Sequence, residues 1–152
     1  MFVDPLGLAY KTIEEAAKAA LCEAYPLSIL NDWEYGGRLV EVDGEYDYTK
    51  PITSMKKADI DIPMQVITTT TKKKFLGIIP YTSKSYQIAD NTVGWYHTHG
   101  RGGDGDKQYS GNDAWIDREL NIPGWYVDGD GQIRKGSTRS KVGKKIDCTC
   151  SP

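Results

Sequence analysis

Apolar residues recur at helical spacing near the start of the chain. Ile13, Ala16, Ala17, Ala20, Leu21 and Ala24 fall on one face of a 3.6-residue repeat. Ahead of them, Thr12-x-x-Glu15 forms a capping box, in which hydroxyl and carboxylate satisfy exposed backbone N–H groups. Pro26 is expected to end this helix, and its small alanines predict close packing on a sheet. The pattern then turns to strands. Segments 38–42 and 45–48 flank Asp43-Gly44, a pair favoured in type I′ hairpin turns. Segment 64–71 is rich in β-branched residues and runs into Lys72-Lys73-Lys74, expected as an exposed charged turn or edge. Strands are also expected at 75–79, at 85–88 and, buried, at 92–97, where Val93, Trp95 and Tyr96 supply the apolar content. A Gly-rich loop, 100–109, leads to a second helix over 110–120, with Ser110 as N-cap and Asp113 favourably placed near its N-terminus. A last hairpin, 125–127 with 132–135, surrounds Asp128-Gly129-Asp130-Gly131. Residues 1–11 read as a linker, 12–136 as one α+β domain, and 137–152 as a basic, flexible tail.

Composition narrows the class without naming a chemistry. The chain has 152 residues, 39% hydrophobic and 26% charged, which fits one globular domain. A net charge of −2 weighs against nucleic-acid binding by bulk charge. No stretch reaches the ~20 apolar residues of a membrane span, and the start lacks a secretory signal pattern. The three cysteines do not form a disulfide framework, and Cys148 and Cys150 are too close in sequence to bridge without strain. Free thiols in a reducing compartment, and a soluble protein that acts in a cytosol, are therefore expected.

The chemistry concentrates in Tyr96-His97-Thr98-His99-Gly100, which holds both histidines of the chain. On a strand, His97 and His99 project to one face and can direct two imidazoles at one metal. Asp113 in Ser110-Gly111-Asn112-Asp113 can add a carboxylate, completing a three-ligand Zn²⁺ site with a position left for water. Ser110 can donate to a developing oxyanion. A general base is then needed, and Glu34, Glu41 and Glu45 are all candidates by position. Asp104, Asp106, Asp128 and Asp130 lie in Gly-Asp repeats that suggest calcium, but without an EF-hand's late Glu they read as turn residues. Trp33, Trp95, Trp115 and Trp125 read as core, with Trp33 and Trp95 near the site.

The set Glu, His-x-His, Ser-x-x-Asp resembles the JAMM (JAB/MPN-type) metalloproteases. The longer run of Glu34-Tyr35-Gly36-Gly37, the segment 43–51, Tyr96-His97-Thr98-His99-Gly100 and Ser110-x-x-Asp113 is similar to the DUF4329 domain, a JAB-like module of bacterial polymorphic toxins. The likeness spans about residues 12–136. It implies a JAB/MPN-like fold: a cytidine-deaminase-like layered mixed sheet with flanking helices. It also implies Zn²⁺ on His97, His99 and Asp113, Glu34 as catalytic base and Ser110 as oxyanion support. Gly100 departs from the Pro found there in many JAMM enzymes, and the interval from His99 to Ser110 is longer. Asp4-Pro5-Leu6-Gly7-Leu8 resembles the boundary motif of Rhs proteins, shells that release a C-terminal toxin.

Together these resemblances imply a secreted effector of type VI kind, delivered to the cytoplasm of a target bacterium. There it would hydrolyse peptide or isopeptide bonds of a protein substrate. Its partners would be the parent Rhs shell and a cognate immunity protein, with no membrane span. A metal-dependent nuclease acting on nucleic acid, and a non-catalytic JAB-like binding module, are the alternatives.

Overall fold

The computed structural model describes residues 10–53, 55, 67–100, 113, 117–118, 120–137 and 142–151. Among these residues it is an α+β fold with one long helix and two sheets. The helix α1 (Ile13–Asn31) starts as its sequence requires: Thr12 is the N-cap and its hydroxyl accepts from the Glu15 N–H at 3.1 Å. The Glu15 carboxylate reaches back to the Lys11 N–H instead of that of Thr12.

Pro26 does not end α1, which runs on to Asn31 and stops at Asp32 in a left-handed conformation. A proline inside a helix removes one backbone bond and costs ~3 kcal/mol or more. The continuation is held by tertiary contacts on both sides of Pro26. Tyr25 and Ser28 are buried, the Tyr25 hydroxyl donates to the Gly129 C=O at 3.0 Å, and the Ser28 hydroxyl donates to the Trp33 C=O at 2.7 Å.

Six strands form the main sheet in the order β2-β1-β5-β6-β7-β8: β1 (Gly36–Val42), β2 (Glu45–Tyr48), β5 (Thr92–Thr98), β6 (Gly124–Val127), β7 (Gln132–Lys135) and β8 (Lys144–Thr149). All neighbours are antiparallel except β5 and β6, which run parallel. The Asp43-Gly44 hairpin joins β1 and β2 with positive φ at both turn residues, as expected. A separate ribbon pairs β3 (Ile67–Phe75) with β4 (Ile79–Gln87). Lys72–Lys74 lie within β3, an edge strand of this ribbon and not a turn, and the turn falls at 76–78, inside the segment expected as a strand. The β-branched run 67–71 suits the strand, and Gly77, with φ +72°, suits the turn.

The two faces of the main sheet have different tasks. Leu39, Gly94, Tyr96, Trp125, Val127 and Ile133 share one face by register. α1 covers that face with Ala16, Ala17, Ala20, Leu21 and Ala24, all of them fully buried. Alternation puts Trp95, His97 and Tyr126 on the other face.

Two expectations about the C-terminus give way. Lys144–Thr149 belong to the expected flexible tail but pair with β7 as the edge strand β8. Cys22 and Cys150, expected as free thiols, form a disulfide, leaving Cys148 free. The disulfide has no local signature, because it spans 128 positions of sequence. A bridge closing so long a loop is worth about 2–5 kcal/mol. Changing both Cys22 and Cys150 to Ser is therefore expected to lower Tm by about 5–15 °C in calorimetry. An unchanged Tm would mean that the native protein lacks the bridge.

Candidate metal centre

Strands β5 and β6 run parallel, so the chain between them must cross over the sheet before it re-enters. That crossover carries Asp113 and Asp117, both helical, over the face opposite α1. Asp117 accepts a hydrogen bond from the Trp95 indole N–H at 2.6 Å. Asp113, four residues earlier in the chain, is brought to the two imidazoles.

His97 Nε2 lies 2.8 Å from His99 Nε2 and 3.4 Å from Asp113 Oδ2. His99 Nε2 lies 3.9 Å from the same carboxylate oxygen. Donors 2.0–2.1 Å from a tetrahedral Zn²⁺ stand about 3.3 Å apart, so these three separations straddle the required edge. The donor set of two imidazoles and one carboxylate fits a divalent metal. Glu34 is the fourth member of the cluster, with Oε1 3.7 Å from His97 Nε2. The structure thus brings together Glu34, His97, His99 and Asp113. Ser110 lies outside the described residues, as do Trp115 and the loop acids Asp104 and Asp106.

Packing fixes the imidazoles. His97 stacks on Trp95, with ring centroids 4.6 Å apart, and faces Tyr126 at 5.8 Å; His99 stacks on Tyr126 at 4.7 Å. Tyr126 is itself pinned, since its hydroxyl accepts from the Gly143 N–H at 2.7 Å. Sequence reading placed Trp95 near the site but missed Tyr126, whose approach depends on the β5–β6 register. The cluster reaches solvent on one side, since the His99 side chain is 12% exposed and that of His97 is fully buried.

A buried hydroxyl chain positions the segment carrying Glu34. The Tyr35 N–H donates to Thr98 Oγ1, that hydroxyl donates to Ser28 Oγ, and Ser28 donates to the Trp33 C=O. The Thr98 N–H donates to the Tyr35 C=O at 2.8 Å. Both backbone neighbours of Glu34 are thereby tied to α1 or to the strand that bears the histidines. The Thr53 hydroxyl also donates to the Glu34 C=O at 2.7 Å. Glu41 and Glu45, the rival bases, lie on β1 and at the start of β2, next to the Asp43-Gly44 turn and beyond the β1 residues that pair with the histidine strand.

Gly100 has φ +69°, which proline cannot adopt. Its departure from the JAMM pattern is therefore built into this backbone. A Cβ there would come within 3.2 Å of Asp32 Oδ1. Asp128 does turn work, as expected: its carboxylate accepts from the N–H groups of Asp130 and Gln132 and pairs with Arg134 at 3.0 Å. That pairing buries Arg134, one of the six basic residues between 134 and 145.

Burial pushes the His97 imidazole down, but Asp113, by charge and hydrogen bond, and then Glu34 and Asp117 push it up. The net result lies above the ordinary 6.5. Without metal, a raised folded-state pKa gives stability that is present below about pH 6.5 and lost as pH rises through the folded value. Metal ligation needs the neutral ring, so it strengthens over the same window. The Tm gain produced by Zn²⁺ is therefore expected to be larger at pH 8 than at pH 6 in thermal-shift measurements. An equal gain at both pH values would separate the metal from His97.

Comparison with protein-family models, with curated proteins and with solved structures finds no match to this chain.

Proposed function

We propose that this chain is a zinc-dependent hydrolase of JAMM type, cleaving peptide or isopeptide bonds, and that it serves as the toxin domain of an Rhs effector. The observation that carries the hydrolase reading is the buried His97–His99–Asp113 group with the Glu34 carboxylate beside it. Zn²⁺ on those three side chains supplies Lewis acidity, which favours a water nucleophile near neutral pH. Glu34 takes the proton of the attacking water and passes it to the leaving nitrogen. The Glu34 side chain is 9% exposed, and the backbone that carries it is tied on both sides by hydrogen bonds, which favours a fixed position for the base. Ser110 supports the carbonyl oxygen as negative charge grows on it.

Three donors suit one metal and a planar carbonyl, whereas phosphodiester cleavage more often uses two metals and more carboxylates. The toxin part rests on the Rhs-like segment Asp4 to Leu8 directly ahead of the domain. The Cys22–Cys150 bridge fits a protein that leaves the reducing cytoplasm of its producer.

The test is to express the domain in a bacterial cytoplasm without an immunity protein and to map new protein N-termini and lost conjugates. Growth arrest with specific peptide or isopeptide cleavage, while DNA and RNA stay intact, is expected. Chelator-sensitive degradation of nucleic acid by the pure domain would replace this reading with the nuclease one.

A further inference from the structure

Among the described residues, the β3–β4 ribbon pairs only with itself. Its tip is apolar and open to solvent: Phe75 is 58% exposed, Leu76 80%, Ile78 79%, Ile79 58% and Tyr81 47%.

Turn chemistry does not account for these residues. The turn closes with the Ile78 N–H donating to the Phe75 C=O at 3.1 Å, with φ +53° at Leu76 and +72° at Gly77. Two positive φ values in succession define a type I′ turn, whose first position favours Asn, Asp or Gly. Leu76 is a bulky residue held in a conformation that disfavours it, at the exposed tip of the ribbon. It gains no burial there from its own chain.

Charge points to the environment that would cover it. Residues 67–87 carry Lys72, Lys73, Lys74 and Lys84 and no Asp or Glu, in a chain whose net charge is −2. Strand alternation sends Lys73 to one face of the ribbon and Lys72 and Lys74 to the other. All three are exposed. The ribbon thus ends in an apolar cap followed by lysines on both faces. A protein groove reads one face of a strand pair, whereas a lipid surface meets all sides of a tip at the same depth. At ~3.4 Å per residue, Lys74 stands about 10 Å behind Gly77. Interfacial elements sit about 5–10 Å deep, so an inserted tip would put the lysines level with lipid phosphates.

We propose that the tip Phe75–Ile79 inserts into the interfacial layer of an anionic bilayer, with Lys72, Lys73 and Lys74 as a collar on its headgroups. No helix among the described residues is long and apolar enough to cross a membrane, and the ribbon docks on the surface without spanning it. This inference does not depend on the hydrolase reading.

The full chain is tested by flotation with vesicles of phosphatidylcholine, with and without phosphatidylglycerol. Wild type is expected to float with the anionic vesicles only, and added salt should weaken the binding. Reversing lysines in K72E/K73E/K74E should lower affinity by about fivefold or more per position. L76D/I78D should lower it about tenfold or more with the lysines intact. Circular dichroism and thermal unfolding should match wild type for both variants, since the changed side chains are exposed. Absence of wild-type binding to anionic vesicles would overturn the proposal. Undiminished binding by L76D/I78D would also overturn it, by reducing the contact to surface charge.

Discussion

Glu34→Gln is expected to yield a folded, metal-loaded protein that no longer arrests bacterial growth. The substitution keeps the volume of the side chain and its place beside His97, where Oε1 lies 3.7 Å from Nε2. The carbonyl contacts that hold the segment, Thr53 to Glu34 and Ser28 to Trp33, are made by the backbone and survive the change. Only proton acceptance is lost. General-base contributions are about 10²–10⁴ in rate, enough to convert arrest into normal growth at matched expression. Full toxicity of Glu34→Gln, with metal still bound, would remove Glu34 from the chemistry.

The second large effect concerns the metal itself. Wild-type protein purified with Zn²⁺ should carry close to one equivalent, and His99→Ala or Asp113→Asn should carry almost none. Loss of an outer-shell partner costs about 10–100-fold in metal affinity, and removing one of three ligands should exceed that. His97→Ala adds a structural penalty: the ring is fully buried against Trp95 and Tyr126, and emptying such a site costs ~2–5 kcal/mol. His99→Ala and Asp113→Asn therefore separate metal from fold more cleanly. Equal metal content in wild type and in both of those variants would dissolve the site.

The helix start at Thr12, the Asp43-Gly44 hairpin and the convergence of His97 and His99 were legible because each depends on neighbours in sequence, although β5 ends at Thr98 and His99 lies just beyond it. So was the turn role of Asp128. What the sequence hid is non-local. Helix α1 passes Pro26 because Tyr25 and Ser28 find partners at Gly129 and Trp33. The Cys22–Cys150 bridge joins the first helix to the last strand region. β8 exists because β7 offers an edge to residues that look like a basic tail. Tyr126 reaches the histidines only through the register His97 to Tyr126 across a parallel pair. Glu34, Glu41 and Glu45 were equivalent by position, and it is the pairing of Gly36 with His97 that brings Glu34 to the metal cluster. Local chemistry thus pointed to the candidate ligands, and strand pairing places Glu34, not Glu41 or Glu45, beside them.

The most direct test of the proposed site is where a metal binds. Anomalous diffraction at the zinc edge, from crystals of wild-type protein grown with Zn²⁺, reads this without reference to substrate or toxicity. One strong peak is predicted, bonded at about 2.0–2.2 Å to His97 Nε2, His99 Nε2 and an Asp113 oxygen, with the Glu34 carboxylate close by but not ligating. A zinc peak ligated by other residues, or none beside His97 in crystals soaked to saturation, would contradict it.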